Sequence, residues 1–228
     1  MSQCDDFFEP EGSLSSGFWL AAHVHAVCIG PDVVVLDLVD DAYMCLPGGA
    51  DQMRLDRHGT VVGATGPSAH LLAEAGLAVA ERPGSTARDA LPAPATEAFQ
   101  LPDSLKIRPS DLMALVGAAV VLRRRGRDPA VRDLLTLSGP AGPARSQAPV
   151  IRAAAMVARL LPWVPLRGGC LQRSAFLVAY LRQRGLAADW VFGVRTWPFR
   201  AHCWVQLDGI CLNDDPERLR AYTPIFSR

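Results

Sequence analysis

Residues 168–185, GGCLQRSAFLVAYLRQRG, and 189–214, DWVFGVRTWPFRAHCWVQLDGICLND, decide how this chain is read. In the first, Leu171, Ala175, Val178 and Leu181 recur at helical spacing and Gly185 supplies a stop, so a helix is expected over 171–184. Gly168-Gly169 leads in and puts Cys170 at its first turn. Unpaired N–H groups and the helix dipole there favour a thiolate, by about 0.3–1 kcal/mol at an exposed site. The same N–H groups suit the oxyanion of a tetrahedral intermediate. In the second stretch, 190–195 and 201–207 read as strands, and Asp208-Gly209 marks a turn into a third, 210–214. A thiolate needs an imidazole to take its proton, and the imidazole needs a carboxylate to fix its tautomer. Cys170, His202 and Asp214 supply these groups in that chain order. A histidine partner lowers a thiol pKa from about 8.5 to roughly 3–4 in favourable pairs.

The turn decides which acid meets His202. A two-residue turn pairs Leu207 with Ile210, puts His202 opposite Asp215 and sends Asp214 to the other face. A three-residue loop of Leu207, Asp208 and Gly209, with Gly209 left-handed in a bulge, pairs Gln206 with Ile210 and sets His202 opposite Asp214. The catalytic assignment therefore expects the three-residue loop. Asp215 and Asn213 remain alternatives for the third member. Cys203, next along the strand, is expected to point to the opposite face. Singly, a helical cysteine is more often a small buried hydrophobe than a nucleophile. Cap position and strand register acting together favour catalysis.

These residues carry a resemblance. GGCLQRSAFLVAYLRQRG, VFGVRTWPFRAHCWVQLDGICLND and the closing YTPI resemble the B proteins of lasso-peptide biosynthesis, transglutaminase-like cysteine peptidases that remove the leader from a ribosomally made precursor. The family's Cys, His and Asp fall on Cys170 in CLQRS, His202 in PFRAHCWV and Asp214 in LND. Arg184-Gly185, the GVR at 193–195 and the YTP at 222–224 also match, so the resemblance spans 151–225. One departure is Gln206, where the family commonly has Glu. The resemblance implies two partners, the precursor peptide and an ATP-dependent macrolactam synthetase that closes the freed core. It implies no bound cofactor, and leaves open whether ATP is needed for cleavage.

Composition agrees with a cytoplasmic enzyme. The chain has 228 residues, 50% hydrophobic, with 23 basic and 23 acidic side chains, so no net field draws it to nucleic acid or membrane. Six cysteines without a CxxC read as reduced thiols. MSQCDDFFEP has neither the basic nor the apolar part of a secretory signal. The longest apolar run, 112–122, is too short to span a bilayer.

The first third has a different texture. Strands are expected over 18–29, 33–38 and 42–46, separated by Gly30-Pro31-Asp32 and Asp40-Asp41. A helix over 69–75 follows, capped by Ser68 and stopped by Gly76. Three strands followed by helical material, with DLVDDAYMCLPG, resemble the winged-helix PqqD-like precursor recognition element. Such a module binds a leader by adding a strand to a sheet edge, and Tyr43, Met44, Cys45 and Leu46 are the candidate edge. His23 and His25 form an HxH pair, but no further ligand stands at metal-site spacing, so no metal is expected. The Pro/Ala-rich run RPGSTARDALPAPATEAFQLPD reads as a linker. Helices follow over 111–125, capped by Ser110, and over 131–137 and 150–161.

The sequence thus predicts an α+β chain. A winged-helix-like recognition module occupies 1–90, a linker 91–104, and a papain/transglutaminase-like cysteine peptidase domain 105–228. Two rivals stay open: an acyltransferase, in which an amine rather than water resolves the thioester, and a non-catalytic precursor-binding chaperone.

Overall fold

The computed structural model describes residues 19–55, 61–64, 66–81, 90–102, 104–126, 129–138, 145–164, 166 and 168–228. Phe18, most of the Pro-rich run before Ala90 and the Gly/Pro run 139–144 lie outside them. The chain divides into two compact units, Met1–Leu91 and Pro92–Arg228.

In the first unit, β1 (Trp19–Leu20) precedes an antiparallel meander of β2 (Val24–Ile29), β3 (Asp32–Asp37) and β4 (Ala42–Leu46), with β3 in the centre. β3 is buried along its whole length, which is why its Val-Val-Val-Leu run lacks alternation. Its two aspartates close the turns. Asp32 Oδ1 accepts the Gly48 N–H at 3.1 Å, and Asp37 Oδ1 accepts the Val39 N–H at 2.7 Å. His23 Nε2 lies 3.7 Å from Asp37 Oδ1, which accounts for one member of the HxH pair. Leu20, Val24, Val33, Val35 and Leu72 centre the core.

A β5 (Met53–Leu55) and β6 (Val61–Ala64) ribbon follows, then α1 (Pro67–Glu74) and β7 (Ala78–Val79), which pairs with β1. The meander agrees with the sequence reading. Among the described residues, however, the unit carries one α-helix, and a ribbon stands where a winged helix would place its first helices. Ser68 is not the cap: the helix starts at Pro67, and the Ser68 N–H is taken by Gln52 Oε1 at 3.0 Å.

In the second unit, α2 (Pro109–Arg124), α3 (Val131–Leu135), α4 (Gln147–Leu160) and α5 (Cys170–Gln183) accompany a five-stranded sheet. Its order is β12-β9-β10-β11-β8, from β8 (Glu97–Ala98), β9 (Asp189–Arg195), β10 (Arg200–Leu207), β11 (Ile210–Cys211) and β12 (Thr223–Ser227). The short α6 (Pro216–Leu219) joins β11 to β12. α5 is buried from Ser174 to Leu181 on every side, packed against α2, α4 and β10. Being apolar all round, it can only be a core helix.

A linker was expected over 91–104, and part of that segment lies on the sheet. The N–H groups of Thr96 and Glu97 reach Gly209 O at 2.9 and 3.2 Å, β8 runs parallel to β11, and Ala95 is buried. Pro-Ala composition signals extended backbone, and an open sheet edge takes extended backbone as readily as solvent does.

Ser110 is likewise not the cap of α2. The helix begins at Pro109, and Asp111 at its third position accepts the Arg108 N–H at 2.9 Å. Asp111 is fully buried and also holds Arg152 of α4 through two bonds, at 3.2 and 2.9 Å, and Arg184 after α5 at 3.3 Å. One carboxylate therefore ties three helices together. The Arg152 bonds, with help from Arg108 and Arg184, hold its pKa down at about 2 against the opposing effect of burial. Among the described residues, no helix is long and apolar enough to cross a membrane.

Removing Asp111 leaves two guanidinium groups without their shared partner. Asp111→Ala is expected to destabilise the chain by roughly 3–5 kcal/mol in denaturant titration. Because the folded carboxyl lies below its unfolded value, its contribution is present above about pH 4 and fades as pH falls toward about 2. The difference between wild type and variant should therefore shrink in acid. A difference of the same size at every pH would show that packing, not charge, makes the tie.

Candidate active site

Cys170 is the first residue of α5, preceded by Gly169 in extended conformation. The Gln172 side chain folds back over Gly168, into the space a Cβ would take. β10 presents His202, Trp204 and Gln206 on one face and Cys203 and Val205 on the other. His202 is 7% exposed, and its Nε2 lies 2.5 Å from Asp214 Oδ2. That leaves Nδ1 for the Cys170 thiol, which is within hydrogen-bonding reach of the ring. The structure therefore brings Cys170, His202 and Asp214 together.

The route to that arrangement differs from the expected one. Leu207 pairs with Ile210 and Gln206 with Cys211, so the turn has two residues, Asp208 and Gly209, both at positive φ (49° and 81°). By strict alternation Asp214 then belongs on the wrong face. The ladder, however, stops. The Leu212 N–H still reaches Val205 O at 2.8 Å, but the Val205 N–H is taken by the Asn213 side-chain Oδ1, at 2.8 Å, in place of a backbone carbonyl. Asn213 Nδ2 donates to Ser174 Oγ at 2.9 Å, and Ser174 Oγ donates to Cys203 O at 3.3 Å. The backbone bends out of the sheet at 212–214 and carries Asp214 round to His202. Asp215, the rival acid, caps α6 by accepting the Glu217 N–H at 2.9 Å.

Cys203 faces away from His202, as its place on the strand predicts, and that face is the one α5 packs on. Its thiol and its backbone N–H both lie within hydrogen-bonding reach of the Cys170 sulfur. Strand alternation describes the sheet correctly and says nothing of a helix end placed beside it.

Charge separation follows. Hydrogen bonds from Cys203 and His202 bring the Cys170 thiol down to about 4, although burial opposes this. Asp214 and the Cys170 sulfur bring His202 up to about 9, again against burial. Burial raises Asp214, yet His202, the Asp215 N–H and Arg218 outweigh it and hold the carboxyl below its usual range. All three shifts act in one direction, toward a thiolate–imidazolium pair with the acid ionised.

Rings hold the imidazole. Trp204 stacks on His202 with centroids 6.3 Å apart, and Tyr222 packs against it at 5.2 Å. Trp204 lies flat over β9 because residue 193 is glycine: a Cβ there would meet the indole at 2.8 Å. Gln206 accepts the Trp204 indole N–H at 2.7 Å and donates to Ala93 O at 2.6 Å. A carboxylate at this position could not donate to that carbonyl. The GVR and YTP motifs were visible in the sequence, but not that they converge on His202.

The comparisons agree with this geometry. Residues 112–227 match the transglutaminase-like superfamily, from α2 through the last strand. The chain belongs to that superfamily. It is also 42% identical over 50 residues to the microcin J25-processing protein McjB of Escherichia coli, a match covering 22% of this chain and 24% of that protein. No solved structure matches.

Of the sequence-predicted leader residues, Tyr43, Met44, Cys45 and Leu46 lie on β4, at an edge of the β2-β3-β4 sheet in strand order. Leu46 is buried, so part of this strand serves the unit's own core.

If Cys203 donates to the thiolate, Cys203→Ala should raise the Cys170 pKa. A hydrogen bond to a charged group is worth about 1.5–3 kcal/mol, or roughly 1–2 pH units. The pH dependence of iodoacetamide alkylation, followed by intact mass, reads this midpoint. An unchanged midpoint would remove the Cys203 thiol as a cause and leave His202 and the backbone N–H of residue 203.

Proposed function

We propose that this protein is a cysteine peptidase that binds the leader of a ribosomally made lasso precursor and cuts it from the core. The observation that carries the reading is the Cys170–His202–Asp214 constellation, with the sulfur at a helix N-terminus. The superfamily match and the likeness to a microcin-processing protein support it.

In this mechanism the Cys170 thiolate attacks the carbonyl carbon at the leader–core junction. Backbone N–H groups at the start of α5 face the oxyanion. The C–N bond breaks as the His202 imidazolium gives its proton to the leaving amine, and the leader acyl group stays on sulfur as a thioester. Neutral His202 then takes a proton from water, which attacks the thioester and releases the leader carboxylate with the thiolate restored. Asp214 holds the ring and its charge throughout. The first unit holds the leader as an added strand on β4, the role of a precursor recognition element. An ATP-dependent macrolactam synthetase consumes the freed core.

The test is mass spectrometry of a precursor peptide incubated with the protein. Free leader and free core are expected, whereas an acylated amine product would assign an acyltransferase. Cys170→Ala should abolish cleavage while leader binding persists, and unimpaired cleavage would end the peptidase reading. With wild type, kcat/KM should rise as pH passes about 4 and the thiolate forms, and fall as pH passes about 9 and the imidazolium loses its proton.

A further inference from the structure

Arg195 ends β9 and Arg200 begins β10, and the two are directly paired across the ladder. Directly opposite residues share a face, with Cβ atoms about 4.5–5.5 Å apart, and like charges in that position repel. Their face is that of His202, whose own partner across the ladder is Gly193. Arg200 and His202 are two residues apart on one strand, about 7 Å along it.

Neither guanidinium has a carboxylate partner among the described residues. Among the described residues, neither has an ion-pair or hydrogen-bond partner, although this chain pairs Arg145, Arg152 and Arg184 with carboxylates elsewhere. Arg195 is half-buried. Its guanidinium lies 5.6 Å from the centre of the Tyr222 ring, the ring that packs on His202, and its Nε is buried without any partner. Tyr222 offsets part of the charge through its π face, and does nothing for a buried N–H. A buried donor left unsatisfied is unfavourable, since it has given up water without a replacement acceptor. Two opposed arginines beside a catalytic face are therefore explained by a ligand that brings negative charge and acceptor oxygens. A carboxylate fits, because guanidinium groups grip it through paired N–H bonds.

We propose that Arg195 and Arg200 form a carboxylate clamp that selects peptide substrates carrying an acidic side chain close to the scissile bond. The clamp rests on the peptidase reading and adds the substrate's chemistry to it. The occupant is a side chain of the peptide because the clamp adjoins His202 on the same face, so a peptide acylating Cys170 passes it.

The test uses the full chain and a set of N-acetyl tripeptide vinyl sulfones, each with Asp or Asn at one of the three positions. Labelling of Cys170 is followed by intact mass, with iodoacetamide alkylation as the control for a live thiolate. At one position, wild type should be labelled at least tenfold faster by the Asp probe than by its Asn counterpart. Arg200→Gln, on an exposed side chain, should reduce that preference to threefold or less, while labelling by the Asn probe changes less than twofold. Arg195→Lys keeps the charge but loses the fork, and should give an intermediate preference. Efficient labelling without Asp preference at any position, or a preference that survives Arg200→Gln, would overturn the clamp and leave the peptidase reading standing. Failure of every peptide probe while iodoacetamide still alkylates Cys170 would likewise overturn the clamp, whereas the peptidase reading stands or falls on cleavage of the leader-bearing precursor.

Discussion

The bond between the Val205 N–H and the Asn213 side chain is the constraint on which the site depends. A β-ladder normally satisfies each inward N–H with a carbonyl of the neighbouring strand. Here a side-chain amide takes that place one residue before Asp214, so the strand can leave the sheet without abandoning a buried donor. Asn213 spends its other end on Ser174, and Ser174 on the Cys203 carbonyl. Helix α5, which carries Cys170, is thereby tied to β10, which carries His202, and to the bend that delivers Asp214. Three groups from three elements are held by one buried polar chain.

The surrounding architecture makes this constellation rigid. α5 is apolar on all sides and packed among α2, α4 and β10, so the end bearing Cys170 has little freedom. Asp111 anchors the far end of the same helix by gripping Arg184 together with Arg152. On the other face of the sheet, Gly193 leaves room for Trp204, Gln206 holds the indole, and Trp204 and Tyr222 bracket His202. The imidazole has one ring orientation, with Nε2 on Asp214.

Electrostatics follow from this packing. The thiolate draws on two hydrogen-bonding partners, Cys203 and His202, as well as the helix N-terminus. Cys203 itself is driven well above its ordinary value by the adjacent sulfur and by burial, so it remains a donor wherever Cys170 is an anion. Charge without a carboxylate partner among the described residues lies a short way along the strand, at Arg195 and Arg200, which belong with substrate rather than with the fold.

Much of this was legible from spacing alone. Helical periodicity after a double glycine placed Cys170 at the start of α5, and alternation with an Asp-Gly turn placed His202 on the middle one of three successive strands. Period and turn chemistry are local properties, so they are written in the chain. The β2-β3-β4 meander was readable for the same reason. The register was not. The expected three-residue loop was the only way for a regular ladder to join His202 and Asp214, and the protein instead keeps the two-residue turn and breaks the ladder with Asn213. Nor could the sequence show that 93–99 completes the sheet, or that Cys203 meets Cys170. Each depends on which distant segment occupies the space beside a strand, and only tertiary packing decides that. The sequence by itself determined the elements that carry Cys170 and His202, through local period and turn chemistry; the tertiary structure decided how Asp214 reaches His202 and what lies beside the Cys170 sulfur, because those contacts join segments far apart in the chain.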